Sequence, residues 1–294
     1  MGGRVVTVTS GKGGVGKTTT TANLGLALAR LDKRVVVIDA DIGLRNLDIV
    51  MGLENRIVYD LVDVVEGRAK VKQAMIKHKQ FPDLYLIPAA QTRDKSAVSP
   101  ADMVQLCNDL RKEFDFILID SPAGIERGFR NAMAPADDIL IVTNPEVSAV
   151  RDADRVIGLI EAENKGPARL ILNRVKMDLV RKGDMLSADD VTDILAVKLI
   201  GIVPDDEAVV SASNSGTPVT LQDNSRSGQA FRNIAKRAVR ALGPAVRWSV
   251  TGSGWTGRAG HVELSRTPVW AQQRRVQCTS GKAAPPVRPR PRPD

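Results

Sequence analysis

The sequence contains little cysteine and no long apolar run. Its two cysteines, Cys107 and Cys278, are too few and too far apart for a disulfide framework or a zinc site. The apolar stretch at residues 5–8 has the length of a strand and does not resemble a signal peptide, and no run approaches the length that spans a membrane. We therefore expect a soluble, cytoplasmic chain. Its 294 residues, 43% of them hydrophobic, can bury one large core, or one domain with an appendage, and Cys107 is predicted to lie in that core.

The positive charge of the chain is concentrated at its C-terminal end. Residues 244–294 contain nine Lys or Arg and two acidic residues, so they carry +7 of the net charge of +8. The same segment holds all three tryptophans and ends in alternating proline and arginine. It shows no helical or strand period, and proline removes backbone donors, so we predict that it is disordered. The folded domain is predicted to cover residues 1–243, with its last helix at residues 226–242.

The tail has two explanations. So abrupt a change of composition is what translation in a different reading frame would produce. A native basic tail is the alternative, and its Arg and Trp side chains could contact anionic lipid headgroups, at about 1 kcal/mol for each basic residue held near the surface. They could also bind the phosphates of nucleic acid without sequence preference. Gly243 and Pro244 end the preceding helix, and no amphipathic helix is predicted after them.

A glycine-rich loop lies near the N-terminus, between a strand-like apolar run and a helical pattern at residues 18–31. It reads Gly11-Lys12-Gly13-Gly14-Val15-Gly16-Lys17-Thr18. Glycines let the backbone turn its N–H groups toward phosphate oxygens, and the N-terminus of the helix adds partial positive charge. We expect Lys17 to bind the β- and γ-phosphates and Thr18 to place its hydroxyl on Mg²⁺. The alternative is an ordinary glycine-rich turn before a helix.

Short apolar runs alternate with helical patterns over the rest of the domain. Strands are predicted at residues 5–9, 35–39, 84–88, 116–120, 139–143, 170–173 and 199–203, and helices at residues 100–114, 146–163 and 187–195. Most of these strands are apolar on both faces, as in a sheet covered by helices on each side. The alternation predicts an α/β fold with a doubly wound, mostly parallel sheet, whose ligands lie at the carboxyl ends of the strands.

Three aspartates follow the predicted strands at that edge. Asp39 and Asp120 each end a strand, and Asp41 lies two residues after Asp39. A carboxylate in this position can hold Mg²⁺ beside a phosphate loop, directly or through water. Any one of them could instead cap the following turn or helix. Three beside one phosphate site favour the functional interpretation, and the small-residue turn at residues 121–124 could sense the γ-phosphate.

Lys12 is not needed by an ordinary phosphate loop, which uses only the lysine beside its Ser or Thr. A lone loop lysine is usually solvated. However, the pattern K-G-G-x-G-K-T resembles the deviant Walker A loop of the ParA/MinD ATPases, a P-loop NTPase family. In that family this lysine crosses a dimer interface to reach the nucleotide of the partner subunit.

Further blocks resemble the division-site branch of the same family. They are DADIGLRNLD at residues 39–48, PAAQTRDK at 88–95, DSPAGIE at 120–126, TNPEVSAVRD at 143–152 and GDMLS at 183–187. The resemblance implies that Lys12, Lys17 and Thr18 bind ATP and Mg²⁺, that Asp39 and Asp120 order the metal, and that Asp41 positions the attacking water. It also implies that Asn173 contacts adenine and that Asp152 lies near the dimer and partner-binding surface. Alternatively, Asn173 only ends a strand and Asp152 is a solvated helix charge.

The resemblance implies a nucleotide switch rather than a metabolic enzyme. ATP would join two chains into a homodimer, and hydrolysis to ADP and phosphate would release it. The implied partners are a MinC-type division inhibitor, a MinE-type or other topological regulator, and the anionic inner face of the cell membrane, with septum formation blocked at the wrong sites. The alternative is a ParA-type partition ATPase that binds DNA nonspecifically through the basic tail. Only the tail supports that alternative, so nucleic acid is the less favoured partner.

Overall fold

Strands and helices alternate along residues 2–242, the part of the chain that the computed structural model describes. The strands are β1 (Arg4–Thr9), β2 (Val35–Asp39), β3 (Ile76–Lys77), β4 (Leu84–Ile87), β5 (Phe116–Asp120), β6 (Asp138–Thr143), β7 (Ala168–Val175) and β8 (Lys198–Pro204). The α-helices are α1 (Lys17–Ala29), α2 (Leu47–Val50), α3 (Leu61–Val65), α4 (Val71–Ala74), α5 (Pro100–Leu110), α6 (Arg127–Met133), α7 (Val147–Ala162), α8 (Met177–Lys182), α9 (Ala188–Leu195), α10 (Glu207–Asn214) and α11 (Arg226–Leu242). Short 3₁₀ turns cover Glu54–Arg56, Lys95–Ala97 and Val219–Leu221. The tail predicted at residues 244–294 lies outside the described residues.

The eight strands form one sheet in the order β3-β4-β2-β5-β1-β6-β7-β8. All neighbouring pairs are parallel except β3 and β4, which are antiparallel. Every residue of β2 and β5 is buried, because apolar side chains occupy both faces of these central strands. The chain leaves β1 toward β2 on one side and later returns to β6 on the other, so the direction of winding reverses at β1. Ligand sites in such sheets lie at this reversal, outside the carboxyl ends of the strands.

Helices cover both faces of the sheet, as predicted. Val6 and Val8 of β1 pack on the face that α1 and α11 cover, whereas Val5 packs with α5 on the other face. The buried thiol of Cys107 in α5 belongs to this second core, which confirms its predicted position. None of the helices between residues 2 and 242 is long and apolar enough to cross a membrane.

The structure confirms all seven predicted strands and changes some boundaries. The two-residue β3 is an additional strand, too short to give a sequence period. The helix predicted at residues 100–114 ends at Leu110. Tertiary contacts explain this end. The carbonyl of Arg111 accepts a hydrogen bond from the amide of Gly3, and the guanidinium of Arg111 pairs with Asp137, so the chain leaves the helix there. By contrast, α9 begins after Ser187 as predicted, with a reciprocal capping box to Asp190.

Candidate nucleotide site

The glycine-rich loop follows β1 and leads directly into α1. Gly14 and Gly16 have φ angles of 78° and 100°, in the left-handed region that favours glycine. A Cβ on Gly11 would lie 2.1 Å from the main-chain oxygen of Asp152, so a larger residue does not fit there. The first turn of α1, which the structure describes in full, has no acidic residue and no side-chain cap. Its amide groups are therefore available to an anion.

Lys17 opens α1 and is almost fully buried, with 8% of its surface exposed. Burial lowers the pKa of its ammonium group, while the negative charges of Asp120 and Asp41 raise it and so oppose that shift. Lys17 therefore lies with two of the three predicted aspartates at one place in the fold. A buried ammonium group at the end of a phosphate loop is well placed to bind phosphate oxygens.

Asp120 ends β5 beside the first turn of α1. Its Oδ2 accepts a hydrogen bond of 2.6 Å from the hydroxyl of Thr18, and its Oδ1 lies 3.1 Å from the hydroxyl of Thr21. Only 1% of its surface is exposed. The hydroxyl of Thr18 donates its hydrogen bond to Asp120, so its oxygen lone pairs remain available to a cation such as Mg²⁺.

Asp39 ends β2 and holds the loop that follows it. Its Oδ1 accepts from the amide of Asp41 at 3.0 Å, and its Oδ2 accepts from the amides of Asn46 and Leu47, each at 3.2 Å. This is the turn-capping role that the sequence left open as an alternative to metal binding. Asp39 and Asp120 are opposite each other in the parallel pairing of β2 and β5.

The two buried carboxylates repel each other. Burial raises the pKa of Asp39, and the charge of Asp120 raises it further. Burial also raises the pKa of Asp120, against the lowering effects of Thr18 and Lys17. Between residues 2 and 242 no cluster of three or more acidic, His or Cys side chains could hold a metal ion. A divalent cation would relieve the repulsion here, but it would need phosphate and water oxygens to complete its coordination.

We expect Asp120→Asn to stabilise the nucleotide-free protein at neutral pH. Burial raises the pKa of Asp120 to about 6 in the folded state, so folding takes up a proton between about pH 4 and pH 6, and stability falls as the pH rises through that window. The amide carries no charge, and its oxygen can still accept from Thr18. Urea unfolding at pH 7.5 should show a gain of about 1–3 kcal/mol, which disappears at pH 4. A gain that is equal at both pH values, or a loss at pH 7.5, would contradict this account.

Asp41 lies in the half-exposed loop between β2 and α2. Its position is fixed by its own amide, which donates to Asp39, and by its carbonyl, which accepts from the amides of Leu44 and Arg45 at 3.2 and 3.3 Å. Its charge acts on both Lys17 and Asp120. Asp41 therefore belongs to the same site as the phosphate loop, at its more exposed side.

Lys12, the other lysine of the loop, contacts α7. Its ammonium group donates to the hydroxyl of Ser148 at 3.2 Å and lies 4.0 Å from the carboxylate of Glu146, at the N-terminus of α7. Its side chain is 45% exposed. Asp152, also on α7, is half-buried and lies 3.8 Å from Arg155, and its main chain packs against Gly11. Helix α7 thus contacts the phosphate loop at two places, through Ser148 at Lys12 and through Asp152 at Gly11.

Asn173 lies in β7, where its side chain supports the phosphate loop. Its amide nitrogen donates to the carbonyl of Val15 at 2.7 Å, and a Cβ on Gly16 would lie 2.4 Å from that nitrogen. Asn173 also lines a cavity of about 560 Å³, together with Thr19 of α1, residues 204–206 at the end of β8, and Val209 and Val210 of α10. Cavities of this size hold small-molecule ligands. The sequence did not indicate which residues line this cavity, although the predicted end of β8 could have placed residues 204–206 at the carboxyl edge of the sheet.

Comparisons with known proteins identify the family of the chain. Residues 6–219 match the family model described as the CobQ/CobB/MinD/ParA nucleotide binding domain. The chain is 56% identical to the septum site-determining protein MinD of Bacillus subtilis (strain 168) over 237 residues, which are 80% of this chain and 88% of that protein.

Two solved structures share the fold. The chain is similar to a chain of the MinC:MinD cell division protein complex of Aquifex aeolicus, with 45% identity, a TM-score of 0.75, and coverage of 88% of this chain and 100% of that one. It is also similar to MinD of Pyrococcus horikoshii in complex with Mg-ADP, with 29% identity, a TM-score of 0.73, and coverage of 83% and 99%. The chain therefore belongs to the CobQ/CobB/MinD/ParA family of nucleotide-binding domains and, within that family, to the septum site-determining MinD proteins.

Proposed function

We infer that the chain is an ATPase that serves as a nucleotide switch in bacterial division-site selection. The observation that carries this inference is the joint placement of Lys17, Thr18 and Asp120 at the carboxyl ends of the central strands. The chain hydrolyses ATP to ADP and phosphate, and in doing so it controls the recruitment of a MinC-type division inhibitor. The identity with MinD and the MinC:MinD complex of a similar chain support this function.

We propose that the glycine-rich loop from Gly11 to Thr18 binds the phosphates of ATP, with the base in the cavity beside Asn173. That cavity begins at Gly16, directly next to the phosphate loop. Thr18 and Asp120 would hold Mg²⁺, and Asp39 would act on it from the neighbouring strand end. When bound, Mg²⁺ neutralises charge on the phosphate oxygens. The Mg-ADP bound to the similar Pyrococcus protein supports this assignment.

The chemistry of hydrolysis would be divided between two charged groups. Lys17 would hold the β- and γ-phosphate oxygens from an almost fully buried position, where its charge acts strongly. Asp41 would orient the attacking water from the exposed side of the same site. Loss of the γ-phosphate would then remove the anion that holds the loops after β2 and β5, so that both loops change conformation.

Dimerisation would place Lys12 in the nucleotide site of a second copy. The side chain of Lys12 is half exposed, and its contacts in its own chain are weak surface contacts that a phosphate could replace. Several apolar side chains near the site are also exposed, namely Leu44, Ile125 and Val147. Apolar side chains on the loops around a nucleotide site are suited to packing against a partner chain.

The proposal also includes attachment to the membrane and stimulation of hydrolysis by a regulator. We propose that the ATP-bound dimer attaches to the anionic inner face of the cell membrane and that a MinE-type regulator, or another of similar role, stimulates hydrolysis. This proposal is supported by the membership of the chain in the MinD proteins. The sequence of residues 244–294 provides charge and three tryptophans rather than an amphipathic helix, so we propose attachment that depends on charge.

Sedimentation with liposomes tests this function directly. We expect the full chain to bind a purified MinC-type inhibitor with ATP and not with ADP, in solution and on liposomes rich in anionic lipid. Binding to the liposomes should be slight at physiological salt and larger at low salt, because charge attraction is screened within about 8 Å at 0.15 M salt. Liposomes of neutral lipid are the control.

Two results would contradict parts of this proposal. ATP-dependent binding to DNA without binding to the inhibitor would favour the partition ATPase. Salt-resistant, ATP-dependent sedimentation that is lost when residues 244–294 are deleted would show that the tail anchors the protein by more than charge.

A further inference from the structure

A second threonine hydroxyl reaches the buried carboxylate at the nucleotide site. Thr21 lies one helical turn after Lys17 in α1, and its side chain is completely buried. Its Oγ1 lies 3.1 Å from Oδ1 of Asp120 and 3.1 Å from the carbonyl oxygen of Lys17. The hydroxyl of Thr18 takes the other carboxylate oxygen, at 2.6 Å. Helix α1 therefore holds both oxygens of Asp120.

The Thr21 hydroxyl donates its hydrogen bond to the carboxylate of Asp120 rather than to the carbonyl of Lys17. A hydroxyl donates one proton, and here it has two acceptors at equal distance. The carbonyl of Lys17 is a neutral acceptor that a helix already supplies with a backbone amide. Asp120 is a charged acceptor cut off from water, and hydrogen bonds to charged groups are the stronger ones.

We propose that Thr21 is a positioning residue that sets the magnesium affinity of the nucleotide site. By holding Oδ1 of Asp120, it keeps Oδ2 on the hydroxyl of Thr18, which would bind the cation through its lone pairs. Without Thr21 the carboxylate loses one of its two side-chain donors and can turn away from Thr18. This inference rests on the proposed binding of Mg-ATP at the site, and it assigns Thr21 no contact with metal or nucleotide.

The chain supplies a matched control in the neighbouring residue. Thr20 is as deeply buried as Thr21 and lies in the same helix, but its hydroxyl has no hydrogen-bond partner in the part of the chain that the structure describes. Thr20→Val and Thr21→Val therefore make the same chemical change at adjacent buried positions. Only the second removes a hydrogen bond to Asp120.

The test measures Mg²⁺ dependence in the full-length protein. Nucleotide affinity is determined with a fluorescent ADP analogue, in EDTA and over a Mg²⁺ titration. We expect Thr21→Val to raise, about tenfold, the Mg²⁺ concentration that gives half of the Mg²⁺-dependent gain in nucleotide affinity. The nucleotide affinity in EDTA should change by less than about twofold. Thr20→Val should behave like wild type, and Thr21→Ser should restore the wild-type response because it keeps the hydroxyl.

A second comparison asks whether Thr21 acts through Asp120. In the Asp120→Asn background, Thr21→Val should add no further change to the Mg²⁺ dependence. If Thr21→Val does not fold, Thr21→Ala and Thr21→Ser give the same contrast between loss and retention of the hydroxyl. A loss of nucleotide affinity that is equal with and without Mg²⁺, or an unchanged Mg²⁺ response, would overturn the inference. Failure of the wild type to bind Mg²⁺-nucleotide would instead contradict the proposed function.

Discussion

Replacing Lys17 with alanine is expected to abolish nucleotide binding, by at least about a hundredfold in affinity. Lys17 is almost fully buried at the start of α1 and directs a positive charge into the phosphate loop. Its loss would leave the phosphate charge without its main partner. The same substitution at Lys12 should leave affinity in the monomer nearly unchanged and should instead block the ATP-dependent dimer.

The contrast between the two lysines follows from their surroundings. Lys12 is half exposed, and its contacts with Ser148 and Glu146 are surface contacts worth little to the monomer. Calorimetry with an ATP analogue measures nucleotide binding, and the molecular mass of the ATP-bound species measures dimerisation. Lys33→Ala controls for the loss of a lysine away from the site. Equal loss of nucleotide affinity in both loop variants, without a separate dimer defect, would refute the assignment of Lys12.

The fold could be predicted from the sequence because its central strands carry their own signal. Runs such as Val35–Asp39 and Phe116–Asp120 are apolar on both faces and end at an acidic residue, a pattern typical of parallel strands that lead to a ligand site. Short or tertiary features carry no such signal. The two residues of β3 are too few for a period, and α5 ends where Arg111 contacts Gly3, which is 108 residues away along the chain.

The site was predictable at the level of residue types and not at the level of contacts. Glycine spacing predicted the phosphate loop, and the strand ends predicted Asp39, Asp41 and Asp120 as site residues. The sequence could not show that the carboxylate oxygens of Asp39 accept hydrogen bonds from three backbone amides, because these bonds depend on how the following loop folds back. It also could not show that Asn173 supports the phosphate loop through Val15, since the two residues meet only when β7 joins the sheet.

Replacing Asp41 with asparagine is expected to slow hydrolysis by about a hundredfold or more, with ATP affinity changed only a few-fold. The loop that carries Asp41 is fixed by its backbone amide on Asp39, which asparagine preserves, so the substitution changes charge without changing the main chain. Asp41 is partly exposed, and its charge acts on Lys17 and Asp120. We therefore expect it to orient a water rather than to hold the phosphates.

The expected consequence of that substitution is an ATP-bound dimer that persists. Single-turnover hydrolysis and the lifetime of the ATP dimer should be measured with the inhibitor, the regulator and anionic liposomes present, because a stimulated rate is the more sensitive measure. Asp48→Asn is not a suitable control, since Asp48 is buried and paired with Arg45 in the same loop. Asp109→Asn serves better, because Asp109 is exposed on α5 and far along the chain from the loop. Normal turnover in the Asp41 variant would remove this carboxylate from the mechanism, and a large loss of ATP affinity would mean that it acts on binding instead.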